Sequence, residues 1–397
     1  YKLVCGGPPP GAERFEIDVA IPRRESKSGR GHRGFTIEGD PRMTFEEAAR
    51  RRDFTINAIL YDPLTDQFID PYDGISDLRR RRLRAVAAET FVEDSLRVLR
   101  AVQFAARFEM AVDAGTAALC RTIDLTDLPR ERIWGEVEKL LLLAARPSTG
   151  LEVALQLGVL SQLFPTLRAL VGCPLGESSA SQREPDDAFA HTKRAVDAAV
   201  GLSSDLDRPR RVAVMLATLC HALGQSCAAL GEGQSQEGAA AEPTLAVMKR
   251  LGLHTLSGYD VRAQVLALVR EQARPQAFYA RSAQATDGDF RRLARRVEVG
   301  LLYRVAKACA LARLPHPSAA DEAARAADAF IERARELGVE HGPPAPLLLG
   351  RHLIDMGITP GPAMGELLRQ VYERQLDGEV RTLDDAQAAA RRLLASS

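Results

Sequence analysis

The sequence predicts an α+β protein in which a partial α/β head precedes a mostly α-helical body and tail. Short strand-like segments bounded by Gly and Pro alternate with short helical segments over the first ninety or so residues. From residue 91 onward, apolar residues recur at helical spacing almost to the C-terminus. A chain of 397 residues also has room for two or three domains.

The predicted head contains two strands and one well-marked helix start. FEIDVAIP (15–22) and GFTIEG (34–39) are typical of strands. Thr44 followed by Glu47 forms a capping box and predicts that a helix begins at FEEAARRR. QFIDPYDG is predicted to be a short strand running into a turn, and ETFVEDSLRVLRAVQFAARF the first long helix.

Composition and charge exclude several classes of protein. Lys+Arg and Asp+Glu both total 53, so the net charge gives no sign of a polyanionic partner. Only six of the basic residues are Lys; the many Arg suit phosphate contacts, although Arg-rich codon usage gives the same bias. The six Cys show no C-x-x-C spacing, so neither a zinc ribbon nor a disulfide framework is predicted, and a reducing cytoplasm fits. No apolar run approaches ~18 residues, so no membrane partner is expected.

Two stretches interrupt the helical pattern. Residues 224–243 are small and polar and predict a flexible loop, and HGPPAP (341–346) predicts a linker into a last helical piece. Together with the change near residue 90, these features divide the chain into four predicted domains. The predicted domains are residues 1–88, 89–170, 171–340 and 341–397.

The densest chemical signal is RRRDFTINAILYDPLTDQFIDPYDGISDLRRRRLRAV, residues 50–86. Arg50, Arg51 and Arg52 place guanidinium groups beside the carboxylate of Asp53, a cluster that can hold a triphosphate while the acid orients one guanidinium. Asn57 follows Asp53 by four residues and is expected to share a helical face with it and to reach a ribose hydroxyl or a backbone carbonyl. The alternative is a solvated run of charges that closes a helix.

The second signal is VEDSLRVLRAVQFAAR. On a helix, Asp94 and Arg97 lie three residues apart and can interact, which would give fixed acceptors and donors for the Watson–Crick edge of a base. The alternative is an ordinary surface helix with ion pairs. The charged face is predicted to carry Glu93, Arg97, Arg100 and Arg107, and the buried face Val92, Leu96, Leu99 and Val102.

In this order, RRDFTINA, IDPYDGISDL and FVEDSLRVLRAVQFAARF resemble the bacterial class II tRNA nucleotidyltransferases and poly(A) polymerases. PRRESKSGRGHRGF, PRERIWGEVEKLLL (129–142) and GRHLIDMGITPGPAMGELLRQVYERQLDGE extend the resemblance over nearly the whole chain. It implies the C-terminal part of a polymerase-beta-like nucleotidyltransferase head, a helical neck that binds nucleotide and RNA, a degenerate HD-like body and a helical tail. It also implies a cytoplasmic enzyme that adds CCA to tRNA 3′ ends from CTP and ATP, with Mg²⁺.

The resemblance implies roles for individual residues in the two signals. Arg52 would bind the triphosphate of the incoming nucleotide, with Asp53 and Asn57 supporting it and the ribose. Asp94 and Arg97 would act as a protein template for the edge of CTP or ATP.

The same resemblance assigns Arg100 a further nucleotide contact. Family members commonly carry another Arg three residues later, where this chain has Gln103.

The carboxylates that bind Mg²⁺ in the family form an Asp-x-Asp pair after a Gly-Gly-x-x-Arg-Asp loop, and the first ninety residues contain neither. CGGPPPGAE has the glycines without the Arg-Asp and is expected to form a plain turn. Glu16-Ile17-Asp18 imitates the acidic pair, but Asp18 fits a later, auxiliary carboxylate of the family. The chain opens without Met, so we expect the protein to begin upstream of Tyr1.

In the central region, His191 and His221 stand where HD-type phosphohydrolases carry metal ligands. The His-Asp doublet of that family is His221-Ala222 here. Two neutral imidazoles without carboxylates make a poor site for a hard cation, so we expect both histidines to be structural remnants rather than ligands. The later ligand positions hold Gln236, Gln272 and Cys309.

Three alternatives to CCA addition stay open. Poly(A) addition and a split CC-adding or A-adding activity share the same motifs, although poly(A) polymerases often end in a basic extension that this sequence lacks. A catalytically dead RNA-binding homologue is the alternative from another class.

Overall fold

The computed structural model describes residues 2–5, 15–19, 21, 23–27, 35–174, 187–225, 240–280, 285–313 and 317–395. The chain folds into two compact units. The first unit comprises Tyr1–Leu140 and Thr149–Leu163, and the second comprises Leu141–Ser148 and Phe164–Ser397. The finer division into four domains stays a prediction. No helix in the described ranges is long and apolar enough to cross a membrane.

The strands of the first unit form short ladders rather than one large sheet. The two predicted strands are confirmed as Phe15–Asp18 and Phe35–Gly39, and the short strand in QFIDPYDG as Gln67–Ile69. In chain order, the antiparallel ladders are β1 (Lys2–Cys5) with β2 (Phe15–Asp18), β3 (Arg23–Lys27) with β4 (Phe35–Gly39), and β5 (Leu60–Asp62) with β6 (Gln67–Ile69). The parallel ladder is β7 (Arg82–Leu83) with β8 (Ala111–Val112).

Helix α1 (Phe45–Arg50) begins where the sequence predicts. The hydroxyl of Thr44 accepts a hydrogen bond from the backbone N–H of Glu47, and the Glu47 carboxylate accepts one from the backbone N–H of Thr44. This reciprocal pair satisfies two N–H groups that the first turn of a helix leaves without partners. The helix ends immediately before the Arg51–Asp53 segment and so fixes where that segment starts.

The prediction of one long helix over residues 89–108 is wrong, because the chain breaks it into α3 (Ala88–Phe91) and α4 (Leu96–Phe108). At the break, the Asp94 carboxylate accepts a hydrogen bond from the backbone N–H of Leu96 (3.1 Å), so this side chain competes with helical backbone bonding. Val92 is consequently 45% exposed instead of buried, and Glu93 lies outside α4. Leu96, Leu99 and Val102 are buried as predicted.

Three aromatic rings form a packed centre beneath the segment after α1. The ring of Phe54 is fully buried and meets those of Phe91 and Phe104 edge to face, with centroid distances of 5.6 and 5.8 Å. This packing anchors Asp53 between α1 and α4. The other helices up to residue 163 are α2 (Gly74–Arg79), α5 (Ala114–Arg121), α6 (Arg130–Leu143), α7 (Pro147–Gln156) and α8 (Val159–Leu163).

The second unit is almost entirely helical, as predicted. Most of the predicted loop at 224–243 lies outside the described residues, but α12 already begins at Ala241. The linker at 341–346 contains neither helix nor strand, which confirms that prediction. The helices are α9 (Pro165–Arg168), α10 (Ala188–Leu202), α11 (Arg208–Cys220), α12 (Ala241–Leu251), α13 (Val261–Glu271), α14 (Arg274–Ala280), α15 (Asp287–Ala294), α16 (Val299–Leu311), α17 (Pro317–Glu336), α18 (Gly350–Asp355), α19 (Pro362–Leu376) and α20 (Leu383–Ala395). Thr255–Leu256 (β9) and Tyr259–Asp260 (β10) form one small hairpin.

Candidate nucleotide-binding site

Asp53 is the centre of the hydrogen-bond network in the first unit. Its side chain is buried, and Oδ1 accepts hydrogen bonds from the backbone N–H of Phe54 (2.9 Å) and from Nδ2 of Asn57 (2.8 Å). The expected proximity of Asp53 and Asn57 is therefore present. They do not share a helical face, because Phe54 is extended and Thr55–Asn57 form a 3-10 turn.

The guanidinium oriented by Asp53 is that of Arg100, not one of Arg50–Arg52 as the sequence suggested. Nε of Arg100 donates to Oδ2 of Asp53 at 2.5 Å, and the same guanidinium lies 4.8 Å from the ring centroid of Phe104. Arg52, the residue directly before Asp53, is exposed. Asp53 thus joins the arginine segment to α4, where the second sequence signal lies.

A buried carboxylate that was not predicted from the sequence, that of Asp77, supports the residues after Asp53. Asp77 accepts hydrogen bonds from Oγ1 of Thr55 (2.7 Å), Nε of Arg82 (2.6 Å) and Nε of Arg84 (2.8 Å). Burial alone raises the pKa of Asp77, but these hydrogen bonds outweigh it and hold the pKa below its ordinary value. The only signal in the sequence was an acid close to a run of arginines, and such runs are usually solvated.

A close backbone approach completes this support. A Cβ atom at Gly74 would lie 2.2 Å from the carbonyl oxygen of Thr55, so no larger residue fits at this position. The Asp70 carboxylate accepts hydrogen bonds from the backbone N–H groups of Gly74 (2.7 Å) and Ile75 (2.8 Å). The IDPYDGISDL motif therefore acts as a structural brace for the residues after Asp53.

Arg97 binds main-chain oxygens in this structure. Its Nη1 donates to the carbonyl of Thr90 (2.6 Å) and its Nη2 to the carbonyl of Arg51 (2.7 Å). Burial lowers the pKa of Arg97 from its ordinary value, against the opposing charges of Asp53 and Asp94. Arg97 therefore connects α4 directly to the backbone of the arginine segment.

Asp94 pairs with Arg132 of α6, a residue that the sequence reading did not single out. Nη1 of Arg132 donates to Oδ1 of Asp94 (3.1 Å) and Nη2 donates to Oδ2 (2.8 Å), so both carboxylate oxygens are engaged by one guanidinium. The hydrogen bonds of the Arg97 side chain go to backbone carbonyls instead. A partner 38 residues away leaves no local pattern in the sequence from which to predict it.

Gln103 lies in the interior of the first unit. The residue is only 1% exposed, and its Oε1 accepts a hydrogen bond from Nη1 of Arg107 (3.1 Å). Within the described residues its buried Nε2 has no hydrogen-bond acceptor. The side chain is thus packed against its own helix in this arrangement, and its contact with a nucleotide stays untested.

The described residues do not fit a Mg²⁺ site. Asp18 is the last residue of β2, pairs in register with Lys2, and is exposed. The side chain of Glu16 lies outside the described residues, although its backbone belongs to β2. The CGGPPPGAE segment also lies outside them, apart from Cys5 at the end of β1. In the described ranges no three His, Cys, Asp or Glu side chains are gathered as metal ligands.

In the second unit, His191 and His221 come together as the sequence suggested, with ring centroids 5.1 Å apart. Nδ1 of His221 lies 2.6 Å from the carbonyl oxygen of Thr218 and donates to it in the neutral tautomer. Burial lowers the pKa of His191 to about 3 and that of His221 to about 4. Both rings are therefore neutral at neutral pH.

The other residues aligned with HD ligands offer little to a cation. Ala222 is fully buried and Gln272 is half-buried at the end of α13. Cys309 is buried in α16, where burial raises the pKa of its thiol to about 12, so it stays protonated. Gln236 lies outside the described residues.

The neutral histidine pair predicts that acid destabilises the second unit. A histidine whose folded pKa is depressed stabilises the fold above its ordinary pKa of 6.5, and that contribution is lost as the pH falls from 6.5 toward 3–4. Between pH 7.5 and 5.5 each histidine should cost about 1.4 kcal/mol of unfolding free energy. Urea unfolding of the chain and of a His191→Gln, His221→Gln variant measures this. An identical pH dependence in both proteins would contradict the assignment.

Two segments of the chain match models of known protein families. Residues 12–84 match the family described as Poly A polymerase head domain, and residues 110–170 match the probable RNA- and SrmB-binding site of polymerase A. In these two segments the N-terminal part of the chain is similar to poly(A) polymerases. The head match contains Asp53 and Asp77, and the RNA-binding match contains Arg132.

Curated proteins are similar to about half of this chain. The "Multifunctional CCA protein" of Mannheimia succiniciproducens is 41% identical over 217 residues, which is 53% of this chain and 50% of that protein. The protein of the same name from Stenotrophomonas maltophilia is 41% identical over 216 residues, covering 52% of this chain and 50% of that protein. The chain thus spans about half the length of the curated relatives it matches.

Solved structures share the fold over most of the chain. A CCA-adding enzyme in complex with CTP has a TM-score of 0.53 at 20% identity and covers 89% of this chain and 72% of its own. The Thermotoga maritima CCA-adding enzyme complexed with tRNA has a TM-score of 0.51 at 20% identity, covering 89% of this chain and 75% of its own. At 20% identity this similarity confirms the fold alone, an α+β head followed by a helical body.

Proposed function

We propose that this protein is a tRNA nucleotidyltransferase that adds C, C and A to tRNA 3′ ends in the cytoplasm, using CTP and ATP. One observation carries the proposal: Asp53 and Arg97 tie the arginine segment to α4 through the Arg100–Asp53 pair and the Arg97–Arg51 carbonyl bond. A phosphate-binding segment and a base-reading helix are thereby held in one network. The names of the curated relatives and the CTP, ATP and tRNA complexes of similar folds support the same substrates.

In this proposal, Arg52 holds the triphosphate and Asp53 and Asn57 support the ribose side. Arg52 is exposed, whereas Asp53 is buried and bonded to Asn57. An exposed guanidinium next to a fixed backbone can meet phosphate oxygens bidentately. Arg100, held by Asp53, supplies the next contact along α4.

The base-reading groups exchange partners when a nucleotide binds. Both oxygens of Asp94 are occupied by Arg132, and both Nη atoms of Arg97 by carbonyls. A base edge that offers a donor to Asp94 and an acceptor to Arg97 replaces some of these bonds one for one. The exchange limits the net gain per hydrogen bond to about 1 kcal/mol, which favours discrimination over tight binding.

The proposed reaction is attack of the tRNA 3′-hydroxyl on the α-phosphate of the nucleotide, which forms a phosphodiester bond, breaks the bond between the α- and β-phosphates and releases pyrophosphate. Mg²⁺ would lower the pKa of that hydroxyl and neutralise charge on the phosphates. Asp18 stays a proposed auxiliary acid. In this proposal the described residues bind and orient the nucleotide.

A nucleotide-incorporation assay tests the proposal. A tRNA transcript lacking CCA is incubated with the protein, labelled CTP or ATP, and Mg²⁺. We expect the protein to add two C and one A, and to leave a tRNA ending in CCA unchanged. A ladder of A on unrelated RNA would favour poly(A) addition. RNA binding without any incorporation would favour the catalytically dead homologue.

We also expect the HD-like region to lack phosphohydrolase activity. Its histidine pair is neutral and buried, and a methyl group replaces the carboxylate of the doublet at Ala222. Metal-dependent hydrolysis needs several convergent ligands and an open position for water. Assays with 2′,3′-cyclic nucleotides and p-nitrophenyl phosphate esters in Ni²⁺, Mn²⁺ or Mg²⁺ should give background rates. Turnover that disappears in a His191→Ala, His221→Ala variant would refute the prediction.

A further inference from the structure

A cavity of about 620 Å³ opens on the second unit beside α14 and α15. Four guanidinium groups line it, and Ala277 and Phe278 contribute an apolar wall. Such a volume holds a small ligand or one segment of a larger one. The lining arginines are Arg274, Arg292, Arg295 and Arg296.

Two of these arginines are fixed by one buried acid. The Glu271 carboxylate is 5% exposed and accepts a hydrogen bond from Nε of Arg274 (3.0 Å), and Nε of Arg296 lies 3.6 Å from its other oxygen. Both contacts with Glu271 use Nε, so they leave the Nη atoms of the two guanidiniums for other partners. One carboxylate between two guanidiniums orients them, and Asp289 is a second acid whose charge acts on Arg274.

The other two arginines are balanced by acids of α19. Arg292 and Arg295 share Glu373, at 3.2 and 2.7 Å, and Arg292 also donates to Asp377 at 2.6 Å. Arg295 uses only Nη1 in its contact with Glu373. The four lining arginines thus meet four carboxylates, those of Glu271, Asp289, Glu373 and Asp377, and Arg274 and Arg296 are the two that share one directly paired carboxylate.

Asp289, the acid that lines the cavity, is hydrogen-bonded at the start of its own helix. Its carboxylate accepts hydrogen bonds from the backbone N–H (3.0 Å) and the hydroxyl (2.8 Å) of Thr286, in a capping box that starts α15. It also lies 3.9 Å from Nη1 of Arg292. Its oxygens are therefore engaged by Thr286 and Arg292, and its negative charge stays on the cavity wall.

We propose that this cavity binds a phosphate group through Arg274 and Arg296, with Arg295 as a third contact. Guanidinium edges fit phosphate oxygens bidentately, and an apolar wall strengthens the charge interaction by lowering the local dielectric. This inference rests on the proposed function, in which the phosphate belongs to the backbone of the bound tRNA. The cavity would then be an RNA-anchoring site separate from the nucleotide residues, since Arg52 and Arg97 belong to the first unit.

The test compares two variants that remove the same charge. Arg274→Gln with Arg296→Gln removes the proposed contacts, and Arg325→Gln with Arg369→Gln removes two exposed arginines elsewhere in the second unit. Binding of a labelled tRNA transcript lacking CCA is measured between 50 and 200 mM KCl. We expect the first variant to bind at least about tenfold more weakly, with a salt slope smaller by about 1–2, because each lost phosphate contact lowers that slope by nearly one. Equal losses in both variants, or none in the first, would overturn the site.

Because the Gln pair leaves Glu271 buried without its partners, a second variant guards against misfolding. Arg274→Lys with Arg296→Lys keeps the charge and loses the bidentate geometry, so we expect a smaller loss of affinity with an unchanged salt slope. Unchanged affinity in this variant, alongside an unfolded Gln variant, would overturn the proposal.

Competition identifies the source of the phosphate and separates this site from the proposed function. If inorganic phosphate or pyrophosphate raises the melting temperature through Arg274 and Arg296 while tRNA affinity does not depend on them, the RNA assignment is wrong. Arginine-dependent tRNA binding by a protein that incorporates no nucleotide would refute CCA addition and retain the site. Normal incorporation with unchanged tRNA affinity in the Gln variant would refute the site and retain CCA addition.

Discussion

Replacing Asp77 with Ala should lower the free energy of opening of the first unit by about 3 kcal/mol, because it leaves two arginines and one hydroxyl without their shared acceptor. The carboxylate is fully buried and bonded to Thr55, Arg82 and Arg84. The two guanidiniums are about one-third exposed, which lets water recover part of the loss. Hydrogen–deuterium exchange over residues 53–86 measures the effect.

An exposed acid in the same unit provides the control for Asp77. Asp124 makes only local bonds, to the backbone N–H and hydroxyl of Thr126 at 2.9 and 2.8 Å. Asp124→Ala should cost less than about 1 kcal/mol, as for other exposed turn residues. Equal exchange protection in the Asp77 and Asp124 variants would show that the brace beneath Thr55 does not stabilise this segment.

Arg97→Ala should change the choice among nucleotides, whereas Arg52→Ala should weaken all of them alike. In the proposed function, the first removes the donors that read a base edge, a loss of roughly 1–3 kcal/mol by analogy with groove readout, or about tenfold or more in selectivity. The second removes the proposed contact to phosphates, which every nucleotide carries. Single-turnover incorporation of CTP, ATP, GTP and UTP measures both effects.

Arg97 also supports the fold through the Thr90 and Arg51 carbonyls, so a second substitution is needed. Arg97→Lys can keep one carbonyl bond but cannot present two parallel donors. Arg107→Ala, on the same helix and bonded to Gln103, controls for loss of a charge from α4. If the Arg97 and Arg52 variants lose all four nucleotides in equal proportion, the template assignment is wrong.

Short-range features of this protein could be read from its sequence. The capping box at Thr44 and Glu47 depends on residues three apart, and the contact of Asp53 with Asn57 spans four. The linker at 341–346 follows from its own composition. In each case the interaction that decides the structure lies within one turn or one segment, so the local pattern contains the information.

Long-range partners could not be read in this way. The helix after residue 88 was predicted without its break because apolar spacing continues through it, whereas the Asp94 side chain bonds the backbone of Leu96 and pairs with Arg132. Asp77 looked like one charge among many, since only the folded backbone brings Thr55 above it. The sequence pointed to Arg97 and Arg100 of α4 but not to the groups that they contact.

Arg97 contacts positions 51 and 90 only through their carbonyl oxygens. Every amino acid presents the same carbonyl, so these two bonds do not depend on which side chains occur there. Substitutions at 51 or 90 can alter the charge offered to a triphosphate while Arg97 keeps its place. The arginines proposed to bind phosphate can in this way be substituted without disturbing the residue proposed to read the base.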